Sequence, residues 1–283
     1  MGYQDYASMR VSIDNGVAFV TIDHPPMNLL DVSLLAELDR FQTEVRNDAD
    51  VRVVVFDSAD PDYFVAHFDV ANILNRPPSP PLAPGELSAY QQLLERYRSL
   101  PQVTITVIEG RMRGAGAEFA LAFDMRFGAV GLAVLGQPEV GLGLVTGGGA
   151  TQHLPAMMGR ARALEILLGS GDFDAVAAER YGWINRALPA EQIGSFVREL
   201  ALRIASFPTY AVRLAKQAVD LPATPLHDRL SEEARLFIQA KAEPEAIRRM
   251  RAFLASGGQT REGELDMEIL LAKLGPGDDV PAP

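Results

Sequence analysis

The sequence contains no cysteine, only three lysines (Lys216, Lys241 and Lys273) and no run of eighteen apolar residues. Without cysteine the chain forms no disulfide or thiolate metal site, and a cysteine nucleophile is excluded. The absence of disulfides favours a reducing compartment. The N-terminus lacks the basic and then apolar order of a signal peptide, and a membrane helix needs a longer apolar run. We therefore expect a cytoplasmic protein that does not contact a membrane.

Positive charge is scarce. The chain has 26 Lys and Arg residues against 37 Asp and Glu residues, a formal net charge of −11. An excess of negative charge repels the nucleic-acid backbone, so nucleic acid is not an expected partner. Because nearly all cations are arginines, any anion is expected to bind to arginine or to backbone amides. With 48% hydrophobic and 22% charged residues, the composition is that of a globular protein.

The N-terminal residues predict a β-hairpin. Two β-rich runs, 9–13 and 17–22, flank Asp14-Asn15-Gly16, and an Asn-Gly pair tolerates the positive φ angles of a tight turn. Asp31 is placed to cap a following helix that runs to about residue 48. Strand and helix patterns then alternate, which indicates an α/β fold.

The second part of the chain is mostly helical. Helix patterns cover 161–168, 193–206, 210–219 and 226–241. We therefore divide the chain into an α/β core, residues 1–207, and a helical C-terminal region, residues 208–283, expected to serve oligomerisation and to act as a lid. The proline-rich stretch 75–85 is either a surface loop or a lid on the substrate side.

A glycine turn and helix start at 110–119 are the first candidate for chemistry. The small residues Gly114, Ala115 and Gly116 allow a ligand to approach the backbone, and the first amides of a helix have no partner within the helix. They can bind an anion or a developing oxyanion. Glu118 lies in the first helical turn, where a carboxylate is favoured even without a catalytic role.

Glu139 is the second candidate, a lone acid in an apolar, glycine-rich stretch. Apolar surroundings raise the pKa of a carboxyl group and suit it to proton transfer, whereas the alternative is an exposed loop acid. A dinucleotide site is not expected, because Phe119 and Thr146 occupy the last positions of the two possible G-x-G-x-x-G patterns. Neither glycine-rich segment has the Gly-Lys-Ser/Thr ending of a phosphate-binding nucleotide loop, so an ATP site is not expected either.

Six ordered segments resemble one family, the enoyl-CoA hydratase or crotonase superfamily. They are Pro26-Met27-Asn28, Phe64-Val65-Ala66-His67-Phe68-Asp69, the turn at 110–118, Gly136-Gln137-Pro138-Glu139, the glycine-rich helix start at 147–154, and 171–184. The resemblance covers nearly the whole chain. It implies an α/β fold of the crotonase type, a spiral of repeated β-β-α units with a C-terminal helical region that trimerises. A homotrimer or homohexamer is then expected.

The resemblance also implies a site. It assigns an oxyanion hole to the backbone N–H groups of Phe68 and Ala115, which would hold a thioester oxygen. Glu118 and Glu139 match the family's two catalytic glutamates. The adjoining positions expected to contact substrate are Ala66, Gly114, Gly116 and Pro138.

The implied activity is that of a hydro-lyase. Water adds syn across the double bond of a 2-enoyl-CoA, with no cofactor beyond the substrate's own coenzyme A and with no metal. Keeping both acids favours hydration, since isomerases of the superfamily often lack one. Isomerisation or carbon–carbon bond hydrolysis on the same fold, and a catalytically silent binding subunit, remain alternatives.

The chain departs from the family at the first oxyanion segment. The family usually shows Ala-Gly-Ala-Asp, whereas this chain has Ala66-His67-Phe68-Asp69, with two small residues replaced by large ones. His67 is either a third catalytic residue, as a proton carrier or electrophile, or a pocket wall that donates one hydrogen bond. Near the C-terminus, Thr260-Arg261-Glu262-Gly263 resembles the family's Glu-Gly signature, but the following residues do not.

Overall fold

The N-terminal hairpin forms as the sequence predicts. In the computed structural model, which describes residues 3–75, 77, 80–207, 209–219 and 226–274, strand β1 (Met9–Asp14) pairs antiparallel with β2 (Val17–Ile22). Between them, Asn15 and Gly16 have φ angles of 48° and 82°. Asparagine and glycine are the residues that adopt this left-handed region at low cost, so the turn follows directly from the sequence.

Strands and helices alternate through the first two thirds of the chain. The remaining strands are β3 (Val53–Ser58), β4 (Tyr63–Val65), β5 (Val103–Ile108), β6 (Arg111–Arg113), β7 (Met125–Val130), β8 (Val134–Gly136), β9 (Asp172–Asp174) and β10 (Arg186–Pro189). The helices are α1 (Val32–Arg46), α2 (Val70–Asn75), α3 (Ala89–Arg98), α4 (Ala115–Leu121), α5 (Ala150–Met158), α6 (Arg160–Gly169), α7 (Ala175–Tyr181), α8 (Ala190–Ala205), α9 (Thr209–Val219), α10 (Leu226–Lys241), α11 (Pro244–Ala255), α12 (Arg261–Leu265) and α13 (Met267–Ala272).

The strands form two sheets, built from a repeated unit of two strands and a helix. The larger sheet has the order β1-β2-β3-β5-β7-β10 and is parallel from β2 onward, and the smaller has the order β4-β6-β8-β9. Each unit places its first strand (β3, β5, β7) in the larger sheet and its second (β4, β6, β8) in the smaller. The predicted α/β spiral of β-β-α units is thereby confirmed.

An aromatic cluster fixes helix α4 against the larger sheet. The Phe119 ring lies 5.7 Å from that of Phe56 on β3 and 4.9 Å from that of Phe123, both edge-on. Such edge-on pairs add to the gain from burying apolar area. Since all residues of α4 are buried, the start of this helix is held rigidly beneath the site described below.

The C-terminal helices lie partly on the sheet and partly over the site. Helix α8 packs on the larger sheet through Ile193, Val197, Ala201 and Ala205. Helices α11 and α13 form a separate apolar cluster with α2 around Phe253. The proposed boundary residue Pro208 and the tail from Gly275 lie outside the described residues, and trimerisation stays a prediction. In the described part of the chain, no helix has the length and apolarity needed to cross a bilayer.

Candidate active site

A cavity of about 510 Å³ lies where the starts of α4 and of the turn at 139–142 meet helices α3, α10 and α11. Its wall includes seven of the nine predicted site residues. These are His67, Phe68, Gly114, Ala115, Glu118, Pro138 and Glu139. Much of the remaining wall is apolar, from residues such as Leu93, Leu144, Phe237 and Phe253. The fold therefore brings together in one cavity residues that lie far apart in the chain and that the sequence predicted to form a site.

Glu118 is buried, and backbone groups fix its carboxylate. Its side chain is 3% exposed, and Oε1 accepts hydrogen bonds from the Gly148 N–H at 2.8 Å and the Ala150 N–H at 3.0 Å. The Ala150 N–H is the first amide of helix α5 and has no partner within it, and the Gly148 N–H lies just before the helix. Glu118 thus joins two helix starts and holds a set orientation in the cavity.

Glu139 begins the short 3-10 helix Glu139–Leu142 and lies beside Gly114. Oriented with its nitrogen toward this carboxylate, the buried Gln137 amide donates to the two Glu139 oxygens at 3.0 and 3.2 Å. A Cβ added to Gly114 would lie 2.9 Å from Glu139 Oε1. Since Gly114 also has a φ of 50°, glycine is required here both by backbone conformation and by the carboxylate.

Tyr90, on α3, lies close to Glu118 and Glu139. The sequence predicted a helix here but gave no indication that Tyr90 belongs to the site. Its hydroxyl donates to the Ala115 carbonyl. Burial, together with the charges of Glu118 and Glu139, raises the pKa of the Tyr90 hydroxyl well above its ordinary value. The group therefore stays protonated and keeps its hydrogen bond to the Ala115 carbonyl.

The loop at 67–69 carries one of the two predicted oxyanion amides. Leu30 donates to the His67 carbonyl at 2.9 Å, and the Asp69 N–H donates to the Leu30 carbonyl at 3.2 Å. Leu30 and Phe68 therefore form an isolated parallel β-bridge. In such a bridge the N–H of Phe68, which lies between His67 and Asp69 in the chain, points away from Leu30. Phe68 and Ala115, the first residue of α4, both line the cavity.

Two predicted substrate contacts, Ala66 and Gly116, lie behind the cavity wall. Ala66 is fully buried, and its carbonyl accepts from the Arg113 N–H at 3.1 Å. A Cβ on Gly116 would overlap the Val65 carbonyl oxygen. In this structure Gly116 lets α4 pack closely on β4, so the glycine serves close backbone packing at this position.

His67 forms hydrogen bonds through both ring nitrogens. Nδ1 donates to the Phe68 carbonyl at 2.8 Å, and Nε2 donates to Glu264 Oε1 at 2.7 Å. Burial by itself would lower the pKa of His67, but the Glu264 carboxylate outweighs it and raises the pKa above its ordinary value. His67 therefore lines the cavity with both ring nitrogens bonded to protein oxygens, and the Glu264 carboxylate favours its charged form.

Glu264 is the site's least expected residue. It is fully buried on α12, and the pairing joins residues 197 positions apart. Burial by itself would raise its pKa, but His67 and the Gln259 N–H, which donates to Oε1 at 2.7 Å, hold the Glu264 pKa below its usual value. The sequence offered only the nearby Glu-Gly likeness, which does not reveal this contact.

The arrangement combines two kinds of group on one cavity wall. Glu118 and Glu139 can take up and release protons, and the amides at Phe68 and Ala115 can stabilise a negative oxygen. These are the groups needed to move a proton beside a polarised carbonyl.

Comparison with known proteins identifies the family. The family model for enoyl-CoA hydratase/isomerase matches residues 12–257. The chain is 32% identical over 205 residues to a short-chain-enoyl-CoA hydratase of Clostridium acetobutylicum, covering 72% of this chain and 77% of that protein. It is 31% identical over 216 residues to a crotonyl-CoA hydratase of Syntrophomonas wolfei, covering 76% and 82%.

A solved structure extends the likeness to the C-terminal helices. The crystal structure of a candidate enoyl-CoA hydratase from Streptomyces avermitilis matches with a TM-score of 0.87 and 39% identity, over 95% of this chain and 98% of that one. The sequence, the paired sheets and the cavity thus lead to one conclusion: the chain belongs to the enoyl-CoA hydratase/isomerase family, the crotonase superfamily.

Proposed function

We propose that the protein is a hydro-lyase that adds water to the double bond of a 2-enoyl-CoA thioester. The observation that carries the proposal is the meeting of Glu118 and Glu139 in one cavity with the start of α4. The relatives named as short-chain-enoyl-CoA and crotonyl-CoA hydratases support the choice of substrate class.

The thioester oxygen would accept hydrogen bonds from the Phe68 and Ala115 N–H groups. As a water oxygen bonds to C3, the electrons of the double bond move toward the carbonyl, and these amides stabilise the enolate-like charge. They act chiefly on the transition state, where the charge on oxygen is largest.

Glu118 and Glu139 would hold the water and handle both protons. One carboxylate takes a proton from the water as its oxygen attacks C3, and the other acid gives a proton to C2, so that H and OH are added in total. Because both acids reach the substrate from one cavity wall, both additions occur on the same face of the double bond, which makes the addition syn.

The apolar wall would receive the acyl chain, with Phe68 and Tyr90 shaping it close to the reacting carbons. Their rings lie 6.1 Å apart, edge to face. No metal or separate cofactor takes part in the proposed reaction. A homotrimeric or homohexameric assembly and a cytoplasmic location complete the proposal, and light scattering of the purified protein tests the assembly.

The stereochemistry of the product tests the reaction. Crotonyl-CoA is incubated with the enzyme in D₂O, and the 3-hydroxyacyl product is examined by proton NMR. Syn addition to the trans double bond predicts one deuterium at C2, on the same side of the extended carbon chain as the C3 hydroxyl. The opposite diastereomer, or a mixture of the two, would contradict addition to a shared face, and a product with a shifted double bond would point to isomerisation.

A further inference from the structure

Residues 259–264 contact the loop that carries Phe68 on both sides of Phe68, and we call them the C-terminal clasp. On one side Glu264 accepts a hydrogen bond from His67 at 2.7 Å, and on the other the side-chain amide of Gln259 donates to Asp69 Oδ1 at 2.8 Å. Phe68 lies between these two attachments. The clasp therefore constrains the residue that carries the predicted oxyanion N–H.

The clasp is itself internally fixed. Oε1 of Glu264 also accepts the Gln259 N–H at 2.7 Å, so one carboxylate oxygen joins the clasp to His67. The Glu264 carbonyl accepts from Arg113 Nη1 at 3.0 Å. Because Glu264 is tied at both side chain and backbone, movement of the clasp would be passed on to the loop at 67–69.

The clasp is also anchored to the turn before β4. Arg261 pairs with Asp60 at 2.9 Å and with Asp62, and the Tyr63 hydroxyl donates to the Arg261 carbonyl at 3.0 Å. These contacts are partly exposed, so their energy is modest, but they fix where the clasp lies. Glu264 then reaches the cavity side from this anchored position.

The hydrogen bonds of His67 fit a charged pair with Glu264. Both ring nitrogens of His67 face oxygens, the Phe68 carbonyl and the Glu264 carboxylate, and with Glu264 ionised both nitrogens donate. The charged groups that act on His67 are Glu264 from α12 and Arg113 from β6. Arg113 opposes the proton, but its own charge is paired with Asp172 at 2.6 Å, and the Glu264 contact dominates.

The pair is poorly suited to stabilising the fold. Glu264 Oε2 is buried without a hydrogen-bond partner among the described residues. An unsatisfied buried acceptor destabilises the folded state. Buried ion pairs of this kind are often replaceable by apolar residues with no loss of stability. What the pair supplies is the geometry of the loop.

We infer that Glu264 is a positioning residue for the proposed hydration. Through His67 it holds the Phe68 peptide so that its N–H meets the thioester oxygen. This inference rests on the proposed function. Glu264 does not touch the substrate, and it acts by keeping the doubly protonated His67 bonded to the Phe68 carbonyl.

Kinetics of Glu264→Gln test the inference, with the exposed neighbour Glu262→Gln as the matched control. Removing a whole oxyanion donor costs about 100-fold to 1000-fold in kcat. A displaced donor is expected to cost roughly 10-fold to 100-fold, with KM changed less than about threefold, because the interaction acts on the transition state. The kcat of Glu264→Asp is expected to lie between that of the wild type and that of Glu264→Gln. A kcat for Glu264→Gln equal to that of Glu262→Gln would overturn the inference.

A double variant separates positioning from folding. His67→Leu with Glu264→Leu is expected to unfold at a urea concentration no lower than the wild type, yet to keep the loss of kcat. If kcat instead falls only in proportion to the folded fraction, the role is structural and the inference fails.

A third measurement needs no turnover, so it stands if the proposed function fails. Amide hydrogen exchange in the loop at 67–69 is expected to be faster in Glu264→Gln than in wild type and Glu262→Gln. The His67 ring resonances, assigned by their loss in His67→Gln, are expected to show a neutral ring at pH 7 in Glu264→Gln and a charged ring in wild type. Unchanged exchange and an unchanged ring would overturn the inference. If the wild type shows no hydratase activity but Glu264→Gln changes both the amide exchange and the His67 ring charge, only the proposed hydration would be overturned.

Discussion

Gly148 and Glu118 define each other's position. The Gly148 N–H donates to Glu118 Oε1 at 2.8 Å, and a Cβ on Gly148 would lie 2.6 Å from Glu118 Oε2 and 2.7 Å from a ring carbon of Tyr90. A single glycine thus supplies a donor to the buried acid and leaves the space that this acid and its tyrosine neighbour occupy. The glycine-rich helix start of the sequence has a steric reason.

Gly148→Ala is expected to displace the Glu118 carboxylate. The added methyl group cannot fit without moving Glu118 or Tyr90, and a misplacement of about 1 Å near the reacting atoms costs roughly 100-fold in rate. Enoyl-thioester hydration measures the effect. Gly169→Ala, where an added Cβ meets nothing within 4 Å, is the control and is expected to leave kcat unchanged. Equal rates for the two variants would contradict the steric account.

Gly116→Ala is expected to damage the fold. The added Cβ would overlap the Val65 backbone, which cannot move as a side-chain end can. We expect a loss of about 3 kcal/mol in the free energy of unfolding, near the upper end for overpacking. Gly194→Ala, in α8 with open space around it, is expected to gain about 0.5–1 kcal/mol instead. Urea unfolding, followed by circular dichroism, measures both changes in the free energy of unfolding. A Gly116→Ala variant as stable as the wild type would contradict close packing at this position.

The stability of the fold is expected to depend on the His67–Glu264 pair only within a pH window. The His67 pKa is raised in the folded state, so its contribution is full below the ordinary histidine pKa and is lost as pH rises through the raised value. The Glu264 pKa is lowered, so its contribution is present above the ordinary glutamate pKa and is lost as pH falls through the lowered value. The contribution of the pair is therefore largest between the ordinary pKa of glutamate and the ordinary pKa of histidine.

Unfolding free energies of the wild type and the His67→Leu, Glu264→Leu double variant, measured from neutral pH to about pH 10, test this window. The wild type is expected to lose stability relative to the double variant as pH rises. Parallel curves for the two proteins would show that His67 is not charged in the folded state.

Local sequence patterns predicted much of the fold. The Asn15-Gly16 turn and the alternation of strand and helix depend on nearby residues, which is why the hairpin and the α/β class were predicted from them. The spiral of β-β-α units was implied by the family resemblance. Strand β9 and helix α7 were not singled out, because the stretch at 171–184 has only short runs without a clear period.

The site was predictable only where the family motifs mark it. Glu118 and Glu139 stand in such motifs, and both line the cavity. Tyr90 and Glu264 could not be predicted, since their roles come from contacts across the fold: Tyr90 meets Ala115 from α3, and Glu264 meets His67 from a helix 197 residues away. Such pairings depend on tertiary packing that no local spacing encodes.

The most direct test of the account is the loss of enoyl-thioester ultraviolet absorbance on incubation with wild type, Glu118→Gln and Glu139→Gln. A glutamine at position 118 still accepts the Gly148 and Ala150 N–H groups through its oxygen, so the substitution removes proton transfer while retaining those bonds. We expect wild type and the exposed control Glu179→Gln to hydrate crotonyl-CoA, and each active-site variant to be slower by about 100-fold to 10 000-fold. Full activity in either variant, or a wild type inactive on short, medium and aromatic enoyl-CoAs alike, would contradict the proposed hydration by two glutamates.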